Sequence, residues 1–241
     1  MTQNKRILII VPAYNEAKSV GSVIEDIKTH MPSADVLVVN DGSLDLTAKR
    51  AKEKGVFVID LPFNLGIGAA MQTGYKFAKE EDYDIAIQCD ADGQHPAYQI
   101  KNLLNPLLEN RADIVIGSRF LRKLGYRSSI PRQIGIILFS NLLSFITKTK
   151  VTDATCGFRA LNRRAINSFS IYYPCDYPEV EALVLAHQEG LKITEVPVRI
   201  YGRKLGNSSI GFLSSFYYTI KVFLAVFIDL FETIPYKKEK L

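Results

Sequence analysis

The stretch IQCDADGQHP, residues 87–96, places two carboxylates one residue apart at the end of an apolar run. These are Asp90 and Asp92, and Gln94 follows at the same spacing. Residues i and i+2 of an extended backbone point to the same side, so the three oxygen-bearing side chains would face one way. Two like charges so placed repel unless a cation or protons neutralise them. Carboxylate and amide oxygens, with no sulfur and no well-spaced histidine pair, suit a hard ion, Mg2+ or Mn2+. Mg2+ takes one or two protein carboxylates and completes its shell with water and substrate phosphates, so a nucleoside diphosphate is the expected second ligand. His95 reads as a turn residue or a support behind the ligands. The competing reading of the whole cluster is a solvated acidic turn.

The elements around this cluster alternate. Short β-rich runs lie at Arg6–Val11, Asp35–Asn40, Val56–Asp60, Asp84–Cys89 and Asp113–Gly117. Helix-compatible segments fall between them, at Ala17–His30, Leu44–Lys54, Gly68–Glu80 and Ala97–Glu109. Such alternation implies βαβ units and a mostly parallel, doubly wound α/β sheet. ILIIV and VLVVN are apolar without alternation, as strands covered on both faces should be. Ligands of such sheets bind beyond the carboxyl ends of the strands. Three polar clusters meet that condition: Pro12, Tyr14, Asn15 and Glu16; Asp41, Gly42 and Ser43; and Asp90, Asp92 and Gln94. Asp41 suits a base or ribose contact, or equally an Asx-turn or helix cap. Tyr14 offers a ring face to a base, and Glu16 suits either that site or the opening of a helix.

Other chemistries lack their motifs. NLGIGAAMQTG has the wrong glycine spacing for a dinucleotide loop, and no Walker A sequence is present. Ser43 and Ser118 have no nucleophile-elbow context. The 241 residues, 47% hydrophobic and 23% charged, fit one globular domain with an appended segment. Cys89, Cys156 and Cys175 are odd in number and without metal-type spacing, and read as reduced thiols of a cytosolic protein. The net charge of +5 suits anionic partners, while no nucleic-acid module signature appears. The first apolar run is too short, and lacks the cleavage site, for a signal peptide.

In order along the chain, VPAYNE, VNDGSLDLT, NLGIGAAMQTG, DADGQHP, GSR, DATCGFRAL, EVPV and RKLGNSS resemble the family 2 inverting glycosyltransferases of the GT-A fold. Within that family the pattern is most similar to the dolichyl-phosphate mannose synthase branch, which moves a sugar from a nucleotide to a polyprenyl phosphate. The resemblance implies roles by position. Pro12, Tyr14, Glu16 and Asp41 would hold the nucleotide, with Asp90, Ala91, Asp92 and Arg203 completing the donor site. Asp90, Asp92 and Gln94 would bind Mg2+ or Mn2+. Arg203 heads an R-x-x-G-x-S pattern completed by Gly206 and Ser208, and would reach donor phosphates. Arg119 and Arg132 would hold the acceptor phosphate, and Asp153 and Arg159 would line the centre of the site. The implied catalytic set is Asp92, Arg119, Arg132, Asp153, Arg159 and Arg203, with a donor of the GDP-mannose or UDP-glucose type. A hydroxyl acceptor, as in glycan or polysaccharide synthesis, would need a base, for which Glu179 and Glu181 are the candidates. Both also suit an ordinary helix face. A third reading is a non-catalytic subunit that binds nucleotide sugar within a membrane complex.

A spanning helix needs about 20 apolar residues. Ile134–Ile146 is shorter and is interrupted by Ser140, Asn141 and Ser144. Arg127, Arg132, Lys148 and Lys150 flank it, so a helix lying in the membrane interface is expected. Ile210–Phe231 is long enough to span but carries Lys221 near its middle. Its apolar positions repeat at helical spacing, so an amphipathic helix is expected there. The expected organisation is a GT-A domain over residues 1–208 and an amphipathic helix with a charged tail over 209–241. Relatives of this kind continue into membrane spans where this sequence stops. Peripheral attachment at the cytosolic membrane face is therefore expected, with room for a separate membrane partner.

Overall fold

The computed structural model describes residues 5–122, 130–175 and 177–201, with backbone only over 130–136. Arg203, Gly206, Ser208 and the expected helix of residues 209–241 lie outside the described residues, as does the side chain of Arg132.

Seven strands form one sheet: β1 (Ile7–Ala13), β2 (Asp35–Asn40), β3 (Phe57–Asp60), β4 (Ile85–Gln88), β5 (Ile114–Ser118), β6 (Arg159–Asn162) and β7 (Ile193–Pro197). Their spatial order is β3-β2-β1-β4-β6-β5-β7. All pairings are parallel except those of β6, which runs antiparallel to both β4 and β5. The sheet is thus mostly parallel, as expected. The helices are α1 (Val20–His30), α2 (Thr47–Glu53), α3 (Ile67–Glu80), α4 (Ile100–Leu108), α5 (Ile130–Thr147), α6 (Arg163–Ile171) and α7 (Pro178–Gln188). A single 3-10 turn, Ala97–Gln99, precedes α4.

The continuous apolar runs are the covered strands. Leu8, Ile9, Ile10 and Val11 of β1 are fully buried, as are Leu37, Val38 and Val39 of β2. Pro12 is tolerated in this central strand because pairing with β4 ends at Ile10 opposite Gln88, two residues earlier. Its missing N–H therefore leaves no ladder bond unmade on that side. The chain winds outward from β1 through β2 to β3, then crosses back to place β4 on the other flank of β1. That reversal opens a crevice between the carboxyl ends of β1 and β4.

Antiparallel β6 has a functional consequence. Its first residue, Arg159, pairs with Gln88 at the end of β4 and with Ile116 near the end of β5. The segment 153–158 therefore enters the same sheet edge that receives the residues following β1, β2, β4, β5 and β7.

The Ile134–Ile146 stretch falls within α5, which packs on α7. Phe139, Leu143 and Thr147 are buried at spacings of four, whereas Ile137, Leu138 and Phe145 are exposed. Among the described residues no helix is long and apolar enough to cross a membrane.

Candidate active site

The loops after β1 and β2 interlock. Asn15 adopts a left-handed backbone, and its side-chain oxygen accepts from Leu44 N while its own N–H donates to Ser43 Oγ, each at 2.9 Å. Glu16 N donates to Thr47 Oγ1 at 2.8 Å, and Ala17 N to Asp45 Oδ2 at 3.1 Å. This cross-bracing keeps residues 44–46 out of α2. It leaves Tyr14 standing outward, 44% exposed, while Pro12 is buried. Glu16 accepts from Ser19 Oγ at 2.6 Å just before α1, consistent with its helix-opening role.

Asp41 is 4% exposed. Its two carboxylate oxygens accept from Leu65 N at 2.8 Å and Gly66 N at 2.9 Å. It thus holds the loop that leads into α3, beyond α2 and β3 in the chain. Gly42 completes this contact. Its φ is +65°, and a Cβ there would lie 2.4 Å from the Phe63 carbonyl carbon. Only glycine fits both the left-handed backbone and that approach.

Beyond β4, Asp92 Oδ1 accepts from Gln94 N at 3.0 Å, forming an Asx-turn. Asp90 N donates to His95 Nδ1 at 3.1 Å, which leaves the His95 proton on Nε2. The imidazole stacks on Phe158, with centroids 4.9 Å apart and rings 16° from parallel. Burial pushes its pKa down to about 4, so the ring is neutral. His95 is therefore a support behind the turn. Gly157 lies against Asp90: a Cβ there would sit 3.3 Å from both carboxylate oxygens and 2.8 Å from Gln88 Nε2. Ala91 is buried between the two acids.

Two glutamines tie this turn to the chain after β7. Gln94 O accepts from Tyr201 N and Gln94 Nε2 donates to Tyr201 O, each at 3.1 Å. Gln99 brackets Arg199 in the same fashion, Nε2 to the carbonyl at 2.6 Å and Oε1 from the N–H at 2.7 Å. The Gln94 carbonyl and the Gln94 and Gln99 side-chain amides thus imitate a pairing strand along 199–201.

Donor chemistry fits a divalent ion completed by substrate. The turn offers two carboxylates and the Gln94 amide oxygen, all hard donors. No group of three or more His, Cys, Asp or Glu side chains positioned to hold a metal occurs among the described residues. A cation here would need oxygen ligands from outside the protein, as a diphosphate provides.

Arg119 and Asp153 form a buried bidentate pair. Nε donates to Oδ2 and Nη2 to Oδ1, each at 2.6 Å, and Arg119 N adds a bond to Oδ2 at 3.0 Å. Asp153 has no exposed surface and Arg119 only 7%. Arg159, 2% exposed, donates to the carbonyls of Cys156, Ala154 and Glu179. It therefore acts as a backbone clamp beneath the site. Glu179 and Glu181 sit in the first turn of α7. Burial raises the Glu179 carboxyl, opposed by Arg159. Glu181 is buried.

Comparison with known proteins places this geometry. The sequence profile of glycosyl transferase family 2 matches residues 8–169, which span β1 to α6. The chain belongs to glycosyl transferase family 2. The UDP-N-acetylglucosamine–dolichyl-phosphate N-acetylglucosaminyltransferase of Methanococcus voltae is 31% identical over 216 residues, covering 81% of this chain and 86% of that protein. The undecaprenyl-phosphate mannosyltransferase of Micrococcus luteus is also 31% identical over 216 residues, covering 86% and 88%. Glucosyl-3-phosphoglycerate synthase from Mycobacterium tuberculosis, solved with Mn2+, UDP and glucosyl-3-phosphoglycerate, superimposes with a TM-score of 0.72 at 20% identity, covering 96% of this chain and 82% of that one. This likeness bears out the expected GT-A type of sheet.

The family profile ends before Glu195, which lies inside EVPV and carries no motif of its own. Asp45 and Gln99 likewise carry no motif of their own. Their only sequence signal was residue type, since short polar side chains beside turns commonly bond to backbone.

Proposed function

We propose that this family 2 glycosyltransferase moves a sugar from a nucleoside diphosphate to a polyprenyl phosphate at the cytosolic face of a membrane. The observation that carries the reading is the Asp90–Asp92 turn at the crevice between β1 and β4, with the Arg119–Asp153 segments entering the same edge. The named activities of the relatives from Methanococcus voltae and Micrococcus luteus agree with it, since both act on polyprenyl phosphates.

In this scheme Asp90, Asp92 and Gln94 hold Mg2+ or Mn2+. That ion, when bound, offsets the charge developing on the leaving diphosphate. Pro12, Tyr14, Glu16 and Ala91 line the donor side, and Asp41 acts on it through the Leu65–Gly66 loop. Arg203 serves the donor phosphates and Arg132 the acceptor phosphate. An acceptor phosphate oxygen attacks the anomeric carbon while the bond to the diphosphate breaks on the opposite face, which inverts the centre. A phosphate is already anionic at neutral pH, so it needs positioning by cations rather than a general base.

The outward face of α5 supports a membrane location. Ile137, Leu138 and Phe145 project from it, Phe120 and Leu121 are also exposed, and Lys148 and Lys150 follow its end. Apolar side chains beside basic ones suit an anionic bilayer surface.

The test is release of nucleoside diphosphate from a panel of nucleotide sugars with Mn2+ or Mg2+. For at least one donor, release should rise when polyprenyl phosphate is added, and Asp92→Ala or chelation should abolish it. A folded protein that turns over no donor, or one indifferent to Asp92→Ala, contradicts the proposal.

A further inference from the structure

The Arg119–Asp153 pair joins two segments that are 34 residues apart, and one side chain braces both. Glu195, on β7, lies opposite Ile116 of β5. Its Oε1 accepts from Thr152 N at 2.8 Å and from Asp153 N at 2.9 Å. Its Oε2 accepts from Thr152 Oγ1 at 2.6 Å. Thr152 Oγ1 is in turn 2.7 Å from Ser118 Oγ, and Ser118 Oγ is 3.2 Å from Phe120 N.

The direction of these bonds follows from chemistry. A carboxylate only accepts, so the Thr152 hydroxyl proton points at Glu195. The Ser118 proton must then point at Thr152, which leaves Ser118 Oγ to accept from Phe120 N–H. The chain of bonds begins on β7 and runs through the Ser118 hydroxyl to the Phe120 N–H, the residues either side of Arg119. One branch fixes residues 152 and 153, and the other fixes 118 and 120.

A carboxylate pair of this kind is sensitive to placement. Arg119 meets Asp153 through two parallel N–H···O bonds, a geometry with little angular tolerance. Losing the brace would free both segments to shift relative to each other. It would also leave the Thr152 and Asp153 N–H groups without an acceptor in a part-buried site.

We propose that Glu195 is a positioning residue that sets the Arg119–Asp153 pair on the acceptor side of the transfer site, acting through Thr152 and Ser118. The inference rests on the proposed transfer to polyprenyl phosphate for its kinetic consequence, but not for its structural one.

Two readouts separate these. The first is hydrogen exchange of the Arg119 Nε–H followed by NMR, with the Arg159 Nε–H, buried on Cys156 O, as an internal reference. Glu195→Ala should speed Arg119 exchange about tenfold or more while leaving Arg159 within about threefold. Glu195→Gln keeps the oxygen that accepts both backbone N–H groups and can donate to a rotated Thr152 hydroxyl, so Arg119 should stay within about threefold of wild type. Thr152→Val keeps the two backbone N–H bonds to Glu195 and removes the hydroxyl that joins Glu195 Oε2 to Ser118 Oγ, so it cuts the branch to residues 118 and 120; it should also speed Arg119 exchange selectively. Should Glu195→Ala fail to fold, Thr152→Val decides the question.

The second readout is kinetic. With polyprenyl phosphate, Glu195→Ala and Thr152→Val should raise acceptor KM about tenfold with donor KM unchanged, and Glu195→Gln should restore it. Equal acceleration of Arg119 and Arg159 exchange overturns the proposal, because it signals general loosening. Unchanged Arg119 exchange in both folded variants overturns it too. If exchange behaves as expected but wild type transfers nothing to polyprenyl phosphate, Glu195 retains its positioning role and the acceptor assignment fails instead.

Discussion

Asp41 closes both of its carboxylate oxygens on consecutive backbone N–H groups, those of Leu65 at 2.8 Å and Gly66 at 2.9 Å. This strand-end acid, which by sequence suits either a nucleotide contact or a turn or cap, anchors the loop beside it. Replacement by Ala leaves two part-buried donors without this acceptor, at about 1–2 kcal/mol each. Asp41→Ala should therefore lower stability in urea by about 2–4 kcal/mol, and Asp41→Asn, which keeps one acceptor, by about half as much. An Asp41→Ala variant with unchanged unfolding midpoint and slope would show that the loop does not depend on this contact.

Gly157→Ala tests the fit of the metal turn. The added methyl would sit 2.8 Å from Gln88 Nε2 and 3.3 Å from both Asp90 carboxylate oxygens. Gln88 must shift and the Asp90 carboxylate must give way slightly, so Mn2+-dependent binding of nucleoside diphosphate, followed by calorimetry, should weaken about tenfold or more. Wild-type affinity in this variant would separate Asp90 from the ion.

The exposed face of α5 offers a test of membrane attachment. Phe145 is 85% exposed, so its replacement should leave the fold intact. Burying a Phe side chain in an apolar medium contributes about 1.5–3 kcal/mol. Phe145→Asp should therefore reduce sedimentation with anionic vesicles about tenfold or more. Unchanged sedimentation would remove α5 from the contact.

Tyr83 supplies a pH signature of the fold. Burial and its hydrogen bond to Asp35 Oδ2, 2.7 Å long, push the phenol up to about 12, opposed by Arg6. A raised folded value means that this contribution is complete below pH ~10 and is lost as pH rises from about 10 to about 12. Tyr83→Phe should be less stable at pH ~8 by about 1–3 kcal/mol, and its melting temperature should fall less steeply across that alkaline window. Parallel curves for the two proteins would show that the phenol is not held this way.

The first half of the sheet was legible because covered parallel strands write themselves as unbroken apolar runs, as Leu8–Val11 and Leu37–Val39 do. β6 was not, because four residues headed by a charged Arg159 carry no period. Antiparallel insertion is decided by pairing with Gln88 and Ile116, far away in sequence. The positions of Asp90 and Asp92 followed from one strand end. Their supports did not, since Gln99 meets Arg199 and Glu195 meets Thr152 across intervals of 100 and 43 residues. Arg119 and Arg159 show the limit of residue type as a guide. Both are charged and stand at strand ends, yet each directs its guanidinium into the protein, towards Asp153 and towards three carbonyls.

The central claim is tested most directly by supplying radiolabelled nucleotide sugars with Mn2+ and either a polyprenyl phosphate or the matching polyprenol, then counting label in the organic phase. Label should enter the lipid with the phosphate and not with the alcohol, and Asp92→Ala should reduce it about a hundredfold or more. Equal labelling of the alcohol, or transfer confined to hydroxyl groups of soluble glycans, would contradict the assignment.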